Sequence, residues 1–474
     1  MNDLERLAAF AAELSARDLP ASVRVHCGTL AADSVACTLG ALRTAEGRAI
    51  ARALTDVGSG GAAGAGLRGA GAAPQAYRVY FSGDALAGVR ADADLANLLD
   101  YDDVFEGSGH IGCVVVPPAM RIGALLGTGG DDVAAALAAG FEVSARVLEA
   151  SRPSEAARAA IWGIGTRQAP AVAAVAARLL GLPARATAHA LALACAAAPV
   201  PSVRKTVYGD TGVTWLKNNM GAAAAAGLAA ALMAREGARG PLDILDGPQG
   251  FSRMIGTDTW TPRALTDGLG ATWQIERIGL KPYPCCRHAH GVIDAARQVL
   301  EELRVEPAAI HEIAVAGPVW VHGVPFTNPA PQTMHDAQYS LPYCVAVTLL
   351  GVEPGLSWFE PALYSRADVR ALAARVRIEP QPEGGAGGSV RMTAGGRTRT
   401  TAVRLPRGSP ALPLSPVERE AKYRHLLGAL LPPDRIRQSY ADLTELPPTL
   451  DVRALVAALP KVDLAAQPPA RVTV

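Results

Sequence analysis

Apolar residues recur at helical spacing from the first turn of this chain. Leu4, Leu7, Ala8, Ala11 and Leu14 fall on one helix face, and Asp18-Leu-Pro closes that element. Val23 to about Leu42 repeats the signal. Asp131–Ala150, Ala156–Ile161, Ala169–Leu180, Ala184–Ala197, Gly212–Arg235 and Leu242–Leu245 are rich in Ala and Leu with short Gly or Pro breaks. Small side chains at helical spacing let helices approach closely, so this stretch predicts an all-α body whose alanine tracts are core. The texture changes near residue 272. Trp273–Leu280 alternates like a strand, His290–Arg304 reads as a helix, Ile310–Val319 as a strand, Gln338–Gly351 as a helix and Asp368–Ala374 as a short one. Val376–Pro380, Ser389–Met392 and Thr398–Leu405 read as strands around a glycine-rich hairpin at Gly384–Gly388. Ser415–Leu430 and Val452–Leu459 return to helical spacing, which predicts a tail packed back on the first body. The expected fold is mainly α: a large all-α helical domain over 1–270, completed by the helical tail 408–474, with a smaller α+β domain over 271–407.

Composition narrows the function classes. Half of the 474 residues are apolar, 19% are charged, and the net charge is +1. With no basic block and 5% aromatics, neither nucleic acid nor an anionic membrane surface is the expected partner. Met220–Ala234 is too short and too alanine-rich to span a bilayer, and the N-terminus lacks a signal-peptide core, so a soluble cytoplasmic protein is expected. Seven scattered cysteines fit reduced thiols, and no Cys-x-x-Cys or His-x-x-x-His pair signals a metal. Gly58–Gly71 reads as a mobile loop, since no strand precedes it and no Lys-Ser/Thr follows, as a phosphate cradle would need.

Four segments break the apolar pattern with chemistry-bearing residues. Asp100–Arg121 (DYDDVFEGSGHIGCVVVPPAMR) packs acidic residues, glycines and His110 ahead of an apolar run. It reads as a surface or cleft loop anchored by that run, with His110 either a proton-transfer group or a solvated turn residue. Lys281–His290 (KPYPCCRHAH) brings Lys281, Arg287, His288 and His290 together ahead of a helix. That is either a carboxylate or phosphate site or a basic connection. Arg204–Asn219 interrupts the alanine helices and places Lys217 near the next helix start, as a binding residue or a helix-end charge. Trp320–Tyr343, with His322 and His335, is a lid over a site or a cap on the α+β part.

Taken in order, these segments resemble the MmgE/PrpD family, whose activities include 2-methylcitrate dehydratase, cis-aconitate decarboxylase and iminodisuccinate epimerase. The resemblance rests on DYDD with His110 ten residues after Asp100, GFEVSARV (140–147), ARLLGL (177–182), GPLDILDGPQGF (240–251), KPYPCCRHAH (281–290) and DAQYSLPY (336–343). It implies a site in the cleft between the helical and α+β domains, no metal or organic cofactor, and a homodimer. It also implies site roles for Asp100, His110, Lys281 and Lys217, although a His that the family carries just after this Lys is missing here. Two positions depart from the pattern: Val104 stands where the family has Thr, and Trp162 where it has a second His.

The implied chemistry passes through a carbanion beside a carboxylate, with charge stabilised by nearby cations. His110 transfers the proton and Asp100 orients it. Lys281 and Lys217 neutralise substrate carboxylates, with Arg287 and His288 supporting them, and Val104, Trp162 and His322 touch the substrate. The expected activity is a hydro-lyase on a small hydroxy-polycarboxylate. Decarboxylation, epimerisation, or a repurposed member with a more apolar substrate are the alternatives.

Overall fold

Asn2 starts the first helix, Asp3–Glu13, by a reciprocal cap: its side chain accepts from Glu5 N while the Glu5 carboxylate accepts from Asn2 N. Leu4, Leu7, Ala8 and Ala11 are the buried stripe, as the spacing predicts. In this computed structural model the described residues are 1–55, 76–105, 107–160, 163–199, 203–208, 212–215, 217–318, 321, 323–381 and 387–465. The Gly58–Gly71 loop, Trp162 and His322 lie outside them.

The body is a stack of helices. Ala21–Ala41, Ala85–Leu98, Gly112–Leu126, Gly130–Ala150, Ala169–Leu179, Ala184–Ala196 and Met220–Arg235 pack pairwise through small side chains. Gly227 shows how close: a Cβ there would lie 2.3 Å from the Ala169 carbonyl oxygen. Pro117 and Pro118 sit inside Gly112–Leu126, which is buried along most of its length. Among the described residues no single helix is long and apolar enough to cross a membrane.

The tail returns to this body. Pro416–Leu427 and Pro433–Glu445 pack on Ala21–Ala41, and Val452–Ala458 packs on Gly112–Leu126. At Gly28 a Cβ would stand 2.2 Å from the Thr444 carbonyl oxygen, so only glycine fits under the tail helix.

The expectation of an all-α domain beside a separate α+β domain is corrected here. Two small antiparallel pairs are stitched into the helical part: Ala76–Arg78 with Lys461–Asp463, and Val104–Phe105 with Ile278–Gly279. Buried apolar residues from Leu4 to Leu464 form one continuous cluster. The protein is mainly helical, with a four-stranded mixed sheet towards its C-terminal side, ordered Val376–Ile378, Ile310–Ala316, Gly388–Ala394, Arg397–Val403. The first pair is parallel and the others antiparallel. Arg287–Leu303 lies across Gly388–Ala394 and Arg397–Val403, and the Gly291 and Gly388 backbones meet where a Cβ on either would clash.

Local corrections have local reasons. Trp273–Leu280 is a 3-10 turn, Gln274–Arg277, followed by the two-residue strand Ile278–Gly279. The helix expected from Gly212 starts at Met220, because Asn219 is left-handed at φ 54°. Leu242–Leu245 is a run of turns. The sheet hairpin turns at Gly395-Gly396, both with positive φ, and not at Gly384–Gly388, of which 384–386 lie outside the described residues. The Pro433–Glu445 helix was not anticipated.

Replacing Gly28 with Ala should cost about 1–3 kcal/mol of stability, read as a lower urea midpoint at unchanged m-value, because the tail helix must move to admit the methyl. A midpoint within error of the parent would contradict this packing.

Candidate active site

The loop after Ala85–Leu98 lines a cavity, as the expectation of a surface or cleft loop allowed, but its carboxylates are buried. Asp100 is 1% exposed, Asp102 0% and Asp103 2%. Buried carboxylates persist when each has partners, and each does. Asp103 accepts from the backbone N–H groups of Ile111 (3.2 Å) and Gly112 (2.7 Å) at the start of Gly112–Leu126, where unpaired N–H groups and the helix dipole favour an anion. Asp102 accepts two bonds from Asn97 Nδ2, at 3.2 and 3.0 Å. Asp100 faces two ammonium groups.

Strand pairing brings those partners in. The antiparallel register Val104↔Gly279 and Phe105↔Ile278 runs the two chains past each other, so Lys281 comes alongside Asp100. Lys281 Nζ donates to the Asp100 carbonyl oxygen at 2.8 Å and lies 3.2 Å from Asp100 Oδ2. Asp100 has φ 51°, a left-handed conformation that turns backbone oxygen and carboxylate towards the same ammonium. Lys217 approaches from the other side, 3.5 Å from Asp100 Oδ1, with its Nζ donating to Gln338 Oε1 at 2.8 Å. Gln338 donates in turn to the Leu98 carbonyl oxygen at 2.8 Å.

His110 completes the centre. A tight loop, closed by Phe105 N to Gly109 O at 2.7 Å, delivers it to the end of the apolar run. Its Nδ1 lies 2.9 Å from the Asp103 carbonyl oxygen and 3.1 Å from Asp102 Oδ1. A carbonyl oxygen only accepts, so Nδ1 carries a proton and Nε2 is the nitrogen left for exchange. Nε2 stands 3.5 Å from Asp100 Oδ1. From behind, Gln168 Nε2 donates to the His110 carbonyl oxygen (2.8 Å), and Ser144 Oγ donates to Gln168 Oε1 (2.5 Å).

The charges tune one another. Burial alone would raise the Asp100 carboxyl, but Lys217, Lys281 and His110 outweigh it and hold Asp100 well below the usual carboxylate range. Burial raises Asp102 likewise and His110 outweighs it, whereas Asp103, buried beside Asp102, is pushed up to about 7. The two lysines move apart. Burial lowers both, yet Asp100 and Asp102 bring Lys281 above its usual value, while Lys217, farther from Asp100 and repelled by Lys281, stays lowered.

Asp100 and His110 line a cavity of about 430 Å³, together with Val104, Asn218, Tyr339 and His288. Burial and the Arg158 and Lys281 charges push the His288 imidazole down to about 4, so it is neutral near pH 7. Arg287 also lines the cavity, but its guanidinium donates to the Arg407 carbonyl oxygen (2.8 Å), the Pro406 carbonyl oxygen (3.4 Å) and Ser409 Oγ (2.6 Å), which ties down the 406–409 loop. Among the described residues no group of three or more His, Cys, Asp or Glu side chains is placed to hold a metal.

Three positioning residues went unread in the sequence. Asp102, and not Asp100, sits at His110 Nδ1, and Gln338 steers Lys217. Lys422, on the tail helix Pro416–Leu427, spends its ammonium on Asp33 Oδ1 (2.6 Å) and the carbonyl oxygens of Tyr101 (2.5 Å) and Lys281 (3.2 Å). It thereby ties the backbone of Tyr101, next to Asp100, to that of Lys281. The signal available was a lysine on the same helix face as Tyr423, Leu426 and Leu427, a polar residue where the pattern asks for an apolar one.

These features define a mainly helical protein built around a buried carboxylate, imidazole and ammonium centre. The chain belongs to the MmgE/PrpD family: the MmgE/PrpD N-terminal domain matches residues 5–263 and the C-terminal domain residues 283–446. It is 24% identical to the cis-aconitate decarboxylase of Homo sapiens over 65% of this chain and 62% of that protein. It is 25% identical to the cis-aconitate decarboxylase-like protein oryM of Aspergillus oryzae over 94% of each chain. The cis-aconitate decarboxylase of Mus musculus is 25% identical over 60% of this chain and 59% of its own length, so the matches span about three fifths of the two mammalian relatives.

The His288 shift has a stability signature. Its folded value, about 4, lies below the ordinary 6.5, so on acidification the unfolded chain binds the proton first. The stability contributed by the neutral ring is present above about 6.5 and is lost as pH falls towards 4. In urea melts at stepped pH, any stability advantage of the parent over His288→Asn should shrink across that window; a constant or growing difference would contradict the assignment.

Proposed function

We propose that this chain is a lyase that makes and quenches a carbanion next to a substrate carboxylate, most simply a hydro-lyase acting on a hydroxy-carboxylate in the manner of 2-methylcitrate dehydratase. The observation that carries this reading is His110, its Nδ1 fixed on Asp102 and the Asp103 carbonyl and its ring on the cavity wall beside Asp100. Family membership supports it.

In the proposed reaction a base takes the proton α to the carboxylate. The C–H electrons become the C=C bond as the C–O bond breaks, and the hydroxyl leaves as water with a proton from an acid. His110 Nε2 handles one of these protons. Lys217 and Lys281 are not among the residues lining the cavity; held on Asp100 behind its wall, they act on the electron-rich carboxylate as a through-space positive field. Because the centre is preassembled and buried, these charges need little reorganisation when the carbanion forms.

The names of the relatives favour a second reading, decarboxylation. There the C–C bond to a carboxylate breaks, carbon dioxide leaves with that bond's carbon, and the remaining electron pair takes a proton from the same acid. Both readings share the carbanion and the residues.

His110→Ala should lower turnover by roughly 10²–10⁴-fold with the circular-dichroism spectrum unchanged. Asp102→Asn should lower kcat more than it raises KM, because it disturbs the ring's orientation and not the cavity. Proton NMR in heavy water, comparing 2-methylcitrate with citrate and cis-aconitate, should show deuterium entering beside a carboxylate of the acid that is turned over. Full activity in His110→Ala would end the proposal.

A further inference from the structure

We infer that the substrate carries an apolar arm beside its reacting carboxylate, which makes it an alkyl-substituted hydroxy- or unsaturated carboxylic acid and not a plain tricarboxylate. The inference rests on the function proposed above and specifies its substrate class.

The cavity lining carries two kinds of group. Asp100, His110 and Asn218 are polar. Val104, Ile164 and Val207 are buried hydrocarbon, and Tyr208 and Tyr339 add aromatic surface while packing on Phe326, with ring centroids 6.3 and 5.5 Å away. Ile164 also lies over the backbone before His110, since a Cβ on Gly109 would come within 2.6 Å of its Cγ2. The apolar wall therefore begins next to the proton-transfer group. Leu405, half exposed, continues it towards solvent.

The polar groups on the lining do not offset this. Cys286, pushed up to about 12 by burial and the Asp100 charge, and His288, held near 4, carry no charge at neutral pH. Arg287 holds the 406–409 loop through carbonyls and Ser409. Arg158, half-buried, donates to the Gly107 carbonyl oxygen, and Arg404 is exposed.

A carboxylate pressed against Val104, Ile164 and Val207 would lose its water without gaining a partner. A hydrocarbon arm there gains from leaving water, about fourfold in affinity per methylene. The cavity volume, about 430 Å³, falls in the roughly 300–1,000 Å³ range of sites that enclose drug-sized ligands. It leaves room for an arm beyond the acid itself.

The test is calorimetric binding of succinate and of 2-methyl-, 2-ethyl-, 2-butyl- and 2-hexylsuccinate to the full chain. The dissociation constant should fall about fourfold per methylene until the arm fills the cavity. Val207→Asn and Ile164→Asn, either of which suffices if the other fails to fold, should flatten that gradient. A dissociation constant that stays level or rises with chain length, or no binding by any member, overturns the apolar arm. Deuterium exchange into alkylated hydroxy-acids is read separately. Exchange with a level affinity series removes the arm and leaves the lyase, whereas a rising affinity series without exchange keeps the apolar site and removes the lyase.

Discussion

Everything at the centre of this protein depends on one carboxylate shared by two ammonium groups. Asp100 is almost wholly buried, and a charge so placed is tolerable only with opposite charge in contact. Lys281 alone would neutralise it. Asp102 adds a second negative charge to the cluster, so the two ammonium groups and the two carboxylates balance. Lys217 is lowered by its burial and by the Lys281 charge, and not by any lack of negative partners.

Holding that cluster recruits segments from the whole chain. The Val104–Phe105 and Ile278–Gly279 pairing sets Lys281 beside Asp100, the helix start at Ile111-Gly112 absorbs Asp103, and the tail contributes Lys422. Lys422 is fully occupied by Asp33 and two carbonyl oxygens, so its role is to fix the backbone rather than to meet a ligand. The close-packed alanine helices make the frame stiff enough for such placement, because small residues leave little room for rearrangement.

The helices were largely legible, because their stripes are local and long: Asp3–Glu13, Gly130–Ala150 and Ala169–Leu179 fall where the spacing puts them. The errors came where the signal was short. Trp273–Leu280 alternates convincingly yet forms mostly a 3-10 turn, because eight residues of alternation fit more than one backbone. The all-α expectation failed on strands of two and three residues, too short to leave a period. At the site, Asp100, His110, Lys217 and Lys281 do come together, but Arg287 is engaged elsewhere, and Asp102, Gln338 and Lys422 carried no local mark of their use.

Read alone, the sequence determined a mainly helical chain, a family likeness, and the chemical types gathered around its acidic motif. These follow from periodicity and residue identity, which are properties of neighbours along the chain. Only the tertiary structure decided that the acidic loop is buried and that Asp102 rather than Asp100 meets His110 Nδ1. It alone showed that a tail lysine braces the centre and that hydrocarbon and aromatic side chains share the cavity lining with the polar groups. Each of those depends on which distant groups share a desolvated space, and the strength of a charge or the cost of a buried polar atom is set by that company and not by position in sequence.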